Sequence, residues 1–268
     1  MKVALSFFGQ PRYVKNKHIY NSYKHFFLDR YDVDVFCHMW WEENGEYDIS
    51  SWVQYEGSPV TPDALSIVKE DYNPLVLKTE APRKFSFPQP ASDYIDKKFT
   101  GKKDSWKHSN YSNVLSQLYS IQSSSRIVKE YAEENNVKYD FIVLARYDTI
   151  LYGIPDLNDC NPNKLHLPHH HDRFPDVTIF YPMKHLDWAS NVFEDVKEHD
   201  VYTKVFSPSP EGFKYFSFRK RFPVTDIQPT KMDGHCVRSF SDNIKNAKFL
   251  ENMTNDFLWE RSKTFYKN

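Results

Sequence analysis

The sequence has few of the residues that mark secreted or membrane-embedded proteins. Only three of its 268 residues are cysteines, Cys37, Cys160 and Cys236, and they form no CxxC pair. An odd number of widely spaced cysteines argues against a disulfide framework and favours reduced thiols in the cytoplasm. Apolar runs are much shorter than a membrane span, and Met1–Gly9 is too short for the apolar region of a signal peptide. We therefore expect a cytoplasmic protein without a membrane span.

An excess of charge of one sign is also missing. The formal net charge is −1, so no overall field attracts nucleic acid, and we expect no nucleic-acid partner. The sequence contains no GxGxxG, GxxxxGK[ST] or GxSxG motif, which weakens dehydrogenase, kinase and hydrolase interpretations. The function must therefore be read from less regular patterns.

Aromatic residues, in contrast, are abundant. They make up 17% of the chain, with 21 Phe, 18 Tyr and 6 Trp, although the mean hydropathy is −0.69. This combination is too aromatic for a disordered chain and too polar for a membrane protein. A chain of this length can bury a sizeable core.

Apolar periodicity predicts alternating strands and helices, and hence an α/β fold with a mainly parallel sheet. The predicted strands are 2–8, 33–41, 72–77, 139–146, 164–167, 177–181 and 224–227. The predicted helices are 16–29, one starting at Thr61–Pro62, 113–135, 183–198 and 211–220. We expect a long loop over 81–107, a turn region from Gly153, and a C-terminal arm from Asn243.

The strongest candidate site is the charged step Arg146-Tyr147-Asp148, which follows the apolar run of the strand 139–146. Ligands of open α/β sheets bind outside the carboxyl ends of the strands. A carboxylate there can bind a divalent ion that neutralises a diphosphate, and an arginine can clamp a phosphate. The alternative is a structural Arg–Asp pair that ends the strand.

Two other predicted strands end in chemically suitable residues. The first strand is followed by the turn Gly9-Gln10-Pro11-Arg12, where glycine permits close backbone approach. His38, Trp40 and Trp41 end the second strand, where they could stack on a base or sugar or pack in the core. The turn is either a nucleotide site or an ordinary β–α connection.

The second half of the sequence contains candidate metal ligands and a candidate general base. His169, His170 and His171 are consecutive and have no HExxH spacing, so a zinc site is disfavoured, although one histidine could complete a site at Asp148. His235 is a similar candidate. Asp176 is the preferred general base for an acceptor hydroxyl, with Asp172 and Asp187 as rivals. Each of these carboxylates could equally be a solvated loop residue.

Three blocks of the sequence together resemble a family. They are Lys2–Arg12, Tyr31–Trp40, and Gln117–Ile121 followed by Tyr139–Asp148. They are similar to segments of small GT-A-like glycosyltransferases of large DNA viruses, phages and bacterial polysaccharide loci. The resemblance covers about the first 150 residues. It departs from the family's DxD motif because Arg146 replaces the first acid, which gives an RxD variant.

The resemblance implies a single-domain GT-A-like (Rossmann-like) fold, with residues 1–152 binding a nucleotide-sugar and residues 153–268 binding the acceptor. It also implies a divalent cation, manganese rather than magnesium, held by Asp148. From the residues themselves, His235 is our candidate for a second ligand. The predicted donor-binding residues, all within or beside the three blocks, are Gly9, Gln10, Arg12, His38, Gln117, Ser120 and Arg146. The predicted catalytic residues are Asp148, from the resemblance, and Asp176, from its position in the sequence. A viral member of this family would work in the host cytoplasm.

The expected activity is transfer of a sugar from a nucleoside-diphosphate sugar, with UDP favoured and UDP-xylose one option, to an oligosaccharide or glycoprotein glycan. Two other classes remain open. A non-catalytic carbohydrate-binding protein would use the many Trp and Tyr rings as stacking platforms. A metal-dependent phosphoesterase or nucleotidyltransferase would need several acids around two ions, and the sequence shows one strong acid.

Overall fold

The computed structural model describes residues 1–47, 59–86, 93, 101, 104–168, 174–175, 178–197 and 209–237, without the side chains of 104–110, 233 and 235. Its strands, in chain order, are β1 (Lys2–Phe8), β2 (Asp32–Trp40), β3 (Val76–Glu80), β4 (Phe141–Arg146), β5 (Thr149–Gly153), β6 (Leu165–Pro168), β7 (Ile179–Tyr181), β8 (Ile227–Thr230) and β9 (Asp233–Cys236). Its α-helices are α1 (Lys17–Tyr23), α2 (Ala64–Tyr72), α3 (Asp104–Glu134), α4 (Leu186–Ala189), α5 (Val192–Asp195) and α6 (Pro210–Arg219).

Seven of these strands form one sheet in the order β3-β2-β1-β4-β7-β6-β8. The strands β1, β2, β3 and β4 are parallel, β7 is antiparallel to both neighbours, and β6 pairs with β8 in parallel. The strands β5 and β9 make a separate antiparallel pair. The predicted α/β class, with a mixed and mainly parallel sheet in a single domain, is confirmed.

The sheet is covered on both faces, as its apolar strands require. Alternate residues of a strand point to opposite faces. Thus Ala4 and Phe8 of β1 pack in the core layer that contains α3, whereas Val3, Leu5 and Phe7 pack in the layer that contains α1 and α2. The same alternation along β4 explains why its sequence is a continuous apolar run.

Several predicted boundaries are wrong. Helix α3 begins at Asp104, inside the predicted loop 81–107. The predicted helix 16–29 is α1 continued by a π-helical turn over Lys24–Leu28. Strand β3 lies at Val76–Glu80 rather than 72–77, because Asn73 ends α2 in the left-handed conformation, with φ of 40°.

The second half differs most from the prediction. The predicted helix 183–198 is a 3₁₀ turn (Met183–His185) followed by the short helices α4 and α5. Strand β8 follows a 3₁₀ turn at Val224–Asp226, so it begins later than predicted. Pro229 is tolerated in β8 because this strand is an edge of the sheet. Strands β5 and β9 were not predicted, and the expected arm from Asn243 lies outside the described residues.

The described helices include none with the combination of length and apolar character needed to cross a bilayer.

Candidate functional site

The carboxyl ends of β1 and β4 meet at the point where the strand order changes direction. Chain order runs outward from β1 to β3 on one side, and then returns to β4 on the other side. The register pairs Phe8 with Arg146, so Gly9 and Asp148 lie just beyond two adjacent parallel strands. This topological switch point is where open α/β sheets bind ligands. The structure therefore brings together the two strand ends that the sequence singled out.

The turn after β1 depends on the conformation of Gly9. Its φ is +101°, which L-residues with a side chain rarely adopt. A Cβ added to Gly9 would meet no atom within 4 Å, so glycine is required by the backbone conformation rather than by space. Arg12 closes the turn: its backbone N–H donates to the Gln10 carbonyl and its Nε donates to Gln10 Oε1, both at 2.8 Å. The turn thus presents open space beside half-buried Gln10 and Arg12.

Arg146 and Asp148 form a two-pronged salt bridge. Arg146 Nε donates to Asp148 Oδ1 at 2.7 Å, and Nη2 donates to Oδ2 at 2.8 Å. Asp148 is only 2% exposed. The neighbouring backbone is also held, since Tyr23 Oη donates to the Arg146 carbonyl and the Val237 N–H donates to the Asp148 carbonyl. The structural Arg–Asp pair that the sequence left open is present, and it fixes the plane of the guanidinium at this strand end.

His38 and Ser120, both predicted to bind the donor, are fully buried beneath the Gly9 turn. Ser120 Oγ accepts from the Gly9 N–H at 2.7 Å and lies 2.6 Å from His38 Nδ1. His38 Nε2 lies 3.2 Å from Glu80 Oε1. The hydroxyl proton therefore goes to Nδ1 and the imidazole N–H to the Glu80 carboxylate. This relay of Ser120, His38 and Glu80 ties the Gly9 backbone to the edge strand β3.

Burial holds the histidine of the relay in its neutral form. It lowers the pKa of His38 to about 4, although the hydrogen bond to Glu80 opposes this shift. Burial alone would raise the pKa of Glu80, but hydrogen bonds from Lys78 and His38 leave it below its usual value. A neutral imidazole beside an ionised carboxylate is the state that matches the hydrogen bonds above.

The end of β3 contributes residues that the sequence analysis did not identify. Glu80 accepts hydrogen bonds from the Tyr119 hydroxyl at 3.2 and 3.1 Å, and its carbonyl accepts from the Trp41 N–H. The Trp40 N–H donates to the Gly9 carbonyl at 3.0 Å, while its ring is buried. The signal in the sequence is the charged residue Glu80 at the end of a third parallel strand. The predicted bounds of that strand, 72–77, exclude Glu80.

The remaining predicted residues are only partly located. Gln117 is half-buried on α3, three residues before Ser120. Asp187 is exposed and pairs with Lys129 at 2.9 Å, nine residues along α3 from Ser120. Asp176, Asp172 and the histidines 169–171 lie outside the described residues. The backbone of His235 pairs with Ile150 across β5 and β9, which brings it near Asp148 in register, but its side chain is not among those described.

The described residues do not present a ready metal site. They contain no group of three or more His, Cys, Asp or Glu side chains that could hold an ion. Both carboxylate oxygens of Asp148 accept from Arg146, so a cation could use them only by displacing the guanidinium. In this arrangement the donor set therefore does not fit the expected manganese ion.

Ser120→Ala tests the relay. Loss of the hydroxyl leaves the Gly9 N–H and His38 Nδ1 without their partner, so we expect the free energy of unfolding to fall by about 1–2 kcal/mol. Ser124→Ala is the matched control, because Ser124 is equally buried on α3 but its hydroxyl, among the described residues, donates to the Ile121 carbonyl of the same helix and to no other group. Urea denaturation measures both. Equal losses in the two variants would contradict the relay.

Comparison with known proteins gave little. No family model matches the sequence, and no curated protein matches it. Among solved structures, the chain is similar to one described as a glycosyltransferase involved in the glycosylation of the major capsid of PBCV-1. The identity is 9%, the match covers 85% of this chain and 80% of that chain, and the TM-score is 0.37. A superposition at this level assigns no activity to this chain.

Proposed function

We propose that this chain is a GT-A-like glycosyltransferase that takes a sugar from a nucleoside-diphosphate sugar, with a UDP-sugar favoured. The observation that carries the proposal is the meeting of the Gly9 turn and the Arg146–Asp148 pair at the switch point of a parallel sheet. The three sequence blocks that resemble glycosyltransferases contain these same two elements. The acceptor would be a hydroxyl of an oligosaccharide or a glycoprotein glycan.

Glycosyl transfer from a nucleoside-diphosphate sugar requires positive charge near the leaving group. Breaking the bond between sugar and phosphate leaves a nucleoside diphosphate, which gains negative charge in the transition state. The Gly9 turn lets backbone approach the diphosphate, with Gln10 and Arg12 beside it. The planar Arg146 guanidinium suits phosphate oxygens, and its bond to Asp148 orients it before the donor arrives.

A divalent cation, manganese rather than magnesium, stays a prediction for this site. Such an ion would shield the diphosphate charge when bound. Asp148, and His235 as its proposed second ligand, would hold it only after Arg146 had moved away, so we assign no step to it. Asp176 is proposed as the base that takes the proton of the acceptor hydroxyl, in a half of the chain that we propose shapes the acceptor site.

A donor panel tests the proposal. UDP-, GDP-, CMP- and dTDP-sugars are added to the full chain in EDTA, Mg²⁺ or Mn²⁺, and melting and diphosphate release are followed. A donor at about 100 times its Kd stabilises the fold by about 2.7 kcal/mol, which raises the melting temperature by about 5–10 °C. We expect a UDP-sugar to give this shift and to release UDP when a glycan acceptor is present.

The same panel separates the other classes. The absence of a shift with every donor, together with no release of diphosphate, would contradict the proposal. Glycan binding without any response to donors would favour a carbohydrate-binding protein. Release of free phosphate would favour a phosphoesterase. A larger shift with Mn²⁺ than with Mg²⁺ or EDTA would support the manganese prediction, and equal shifts would contradict it.

A further inference from the structure

An exposed arginine lies on an aromatic cluster at the carboxyl edge of the sheet. The guanidinium carbon of Arg83 is 4.3 Å from the ring centroid of Tyr119, 5.0 Å from that of Phe85 and 5.8 Å from that of Trp40. All three distances are within the range of cation–π attraction. The rings also support each other, since Trp40 and Tyr119 stack at 5.4 Å and Phe85 and Tyr119 are 5.6 Å apart. The aromatic cluster of Trp40, Phe85 and Tyr119 therefore holds Arg83 in place.

Arg83 has no carboxylate partner among the described residues. The nearest acid in the sequence is Glu80, and it is engaged by Lys78 at 3.1 Å and by the hydroxyl of Tyr119. The segment 76–86 carries three cations, Lys78, Arg83 and Lys84, against this single acid. An exposed arginine that is held by rings and has no acidic partner in the described part of the chain keeps its charge available for a ligand.

The aromatic cluster is joined to the Gly9 turn by direct bonds. The Trp40 N–H donates to the Gly9 carbonyl, and Ser120, the residue after Tyr119, accepts from the Gly9 N–H. Arg83 therefore contacts the rings of Trp40 and Tyr119, and Trp40 itself and Ser120, the neighbour of Tyr119, hydrogen-bond to the backbone of Gly9. The field of Arg83 also reaches His38, since it contributes to the lowered pKa of that imidazole. Arg83 and the turn therefore border the same edge of the sheet.

We propose that Arg83 is an oxyanion-binding residue of this site. Stacking of a guanidinium on aromatic faces leaves its N–H donors in the ring-parallel plane, where they match the oxygens of a phosphate or a carboxylate. The identity of the ligand rests on the proposed function: the oxyanion is a phosphate of the nucleotide-sugar or the carboxylate of an acidic sugar. This position would make Arg83 a determinant of which donor or acceptor is taken.

A simpler role for Arg83 would be to cover the rings with its aliphatic stem. Arg83→Met separates the two roles, because methionine keeps apolar cover and removes the charge. We expect the melting temperature to stay within about 1–2 °C of the unsubstituted chain, as for ordinary surface changes. Binding is measured calorimetrically with pyrophosphate, uridine, UDP, UDP-glucose and UDP-glucuronate.

Two matched variants control for charge and for arginine stacking. Lys84→Met removes the adjacent exposed cation. Arg30→Met removes an arginine stacked on Phe26 at 5.6 Å, just before β2 and hence about 30 Å from the carboxyl end of that strand. Both should bind every probe as the unsubstituted chain does.

We expect Arg83→Met to weaken binding of UDP and pyrophosphate about ten-fold or more, the usual effect of one charge-assisted hydrogen bond, and to leave uridine unaffected. A loss confined to UDP-glucuronate would assign the oxyanion to a sugar carboxylate instead. Unchanged binding of all anionic probes, an equal loss for uridine, or an equal loss in Lys84→Met would overturn the proposal for Arg83.

The two proposals fail in different ways. If the unsubstituted chain binds pyrophosphate through Arg83 but no nucleotide, the glycosyltransferase proposal fails and the oxyanion site stands. If it binds nucleotides and Arg83→Met changes nothing, only the inference on Arg83 fails. If it binds no probe at all, both are wrong.

Discussion

Replacing Asp148 by asparagine is expected to lower the free energy of unfolding by about 3 kcal/mol, because it takes the counter-charge from the half-buried guanidinium of Arg146. Asp148 accepts two hydrogen bonds from Arg146 and is almost fully buried. An asparagine of the same shape keeps one acceptor but turns an N–H₂ group towards a cation. Urea denaturation at neutral pH measures the loss.

Asp187→Asn is the matched control for this substitution. Asp187 pairs with Lys129 at 2.9 Å, but its side chain is 59% exposed, so water screens the pair. Exposed pairs contribute under about 1 kcal/mol, and we expect this variant to unfold almost as the unsubstituted chain does. If Asp148→Asn destabilises the chain no more than Asp187→Asn, the Arg146–Asp148 salt bridge does not stabilise the end of β4 as proposed.

A double-mutant cycle shows whether the loss of unfolding free energy arises from the interaction between Arg146 and Asp148. Arg146→Met leaves the buried charge of Asp148 and Asp148→Leu leaves the half-buried charge of Arg146, whereas the double variant leaves neither and replaces the pair by apolar volume. Such replacements are often close to neutral. We expect the double variant to be more stable than either single variant. Its donor binding should nonetheless be lost, since the cation proposed to meet the diphosphate is absent.

The sequence located the strand ends of this site but not the contacts between them. Apolar runs followed by Gly9 and by Arg146–Asp148 were visible because burial on both faces forces parallel strands to be apolar throughout. The salt bridge between Arg146 and Asp148 could only be named as an alternative, because the direction of two side chains beyond the end of a strand depends on the backbone after Arg146. That backbone is held from far along the chain, since the Val237 N–H donates to the Asp148 carbonyl.

Long-range contacts also explain the broken helix. The apolar spacing over 183–198 favours one helix, yet the chain forms α4 and α5 with Asn191 between them. The Gln122 side chain on α3 accepts from the N–H groups of Phe193 and Glu194 at 3.1 Å, and so caps the start of α5 from 71 and 72 residues away. No local pattern contains that capping partner.

The relay beneath the Gly9 turn was missed for a related reason. Ser120 and His38 belong to sequence blocks that resemble donor-binding segments, and polar residues near a ligand site are usually read as ligands. In the fold both are fully buried and bond to Gly9 and Glu80. Their proposed effect on a donor would pass through the backbone of the turn, which sequence spacing cannot reveal because Gly9, His38, Glu80 and Ser120 come from four different elements.

The buried imidazole of the relay also gives a pH dependence with a defined sign. His38 has a folded-state pKa of about 4, against an ordinary pKa of about 6.5. The unfolded chain therefore binds a proton that the folded chain does not, and the free energy of unfolding falls as the pH drops below about 6.5. The loss of unfolding free energy that His38 causes is close to zero above pH 7. It reaches about 2 kcal/mol at pH 5 and its full value of about 3 kcal/mol below pH 4.

His38→Gln removes this titration while keeping a polar side chain within reach of Glu80. The groups that face His38 are Glu80 and Lys78 of β3, Arg83 beyond it, and Tyr119 and Ser120 of α3. Of these, Glu80 is the only acid, and its lowered pKa confines its own titration to the region below its ordinary value. The contribution of His38 is therefore the difference between the unsubstituted chain and His38→Gln in urea denaturation between pH 5 and 7.5.

We expect the difference in unfolding free energy between pH 7.5 and pH 5 to shrink by about 2 kcal/mol in His38→Gln, whatever the variant's stability at pH 7.5. Ser124→Ala, which removes a hydroxyl that donates to the Ile121 carbonyl of its own helix, should keep the dependence of the unsubstituted chain. His166 and His185 also have pKa values lowered by burial, so part of the dependence will persist. A pH dependence unchanged by His38→Gln would show that folding does not lower the pKa of this imidazole, and would contradict a His38 that burial holds neutral.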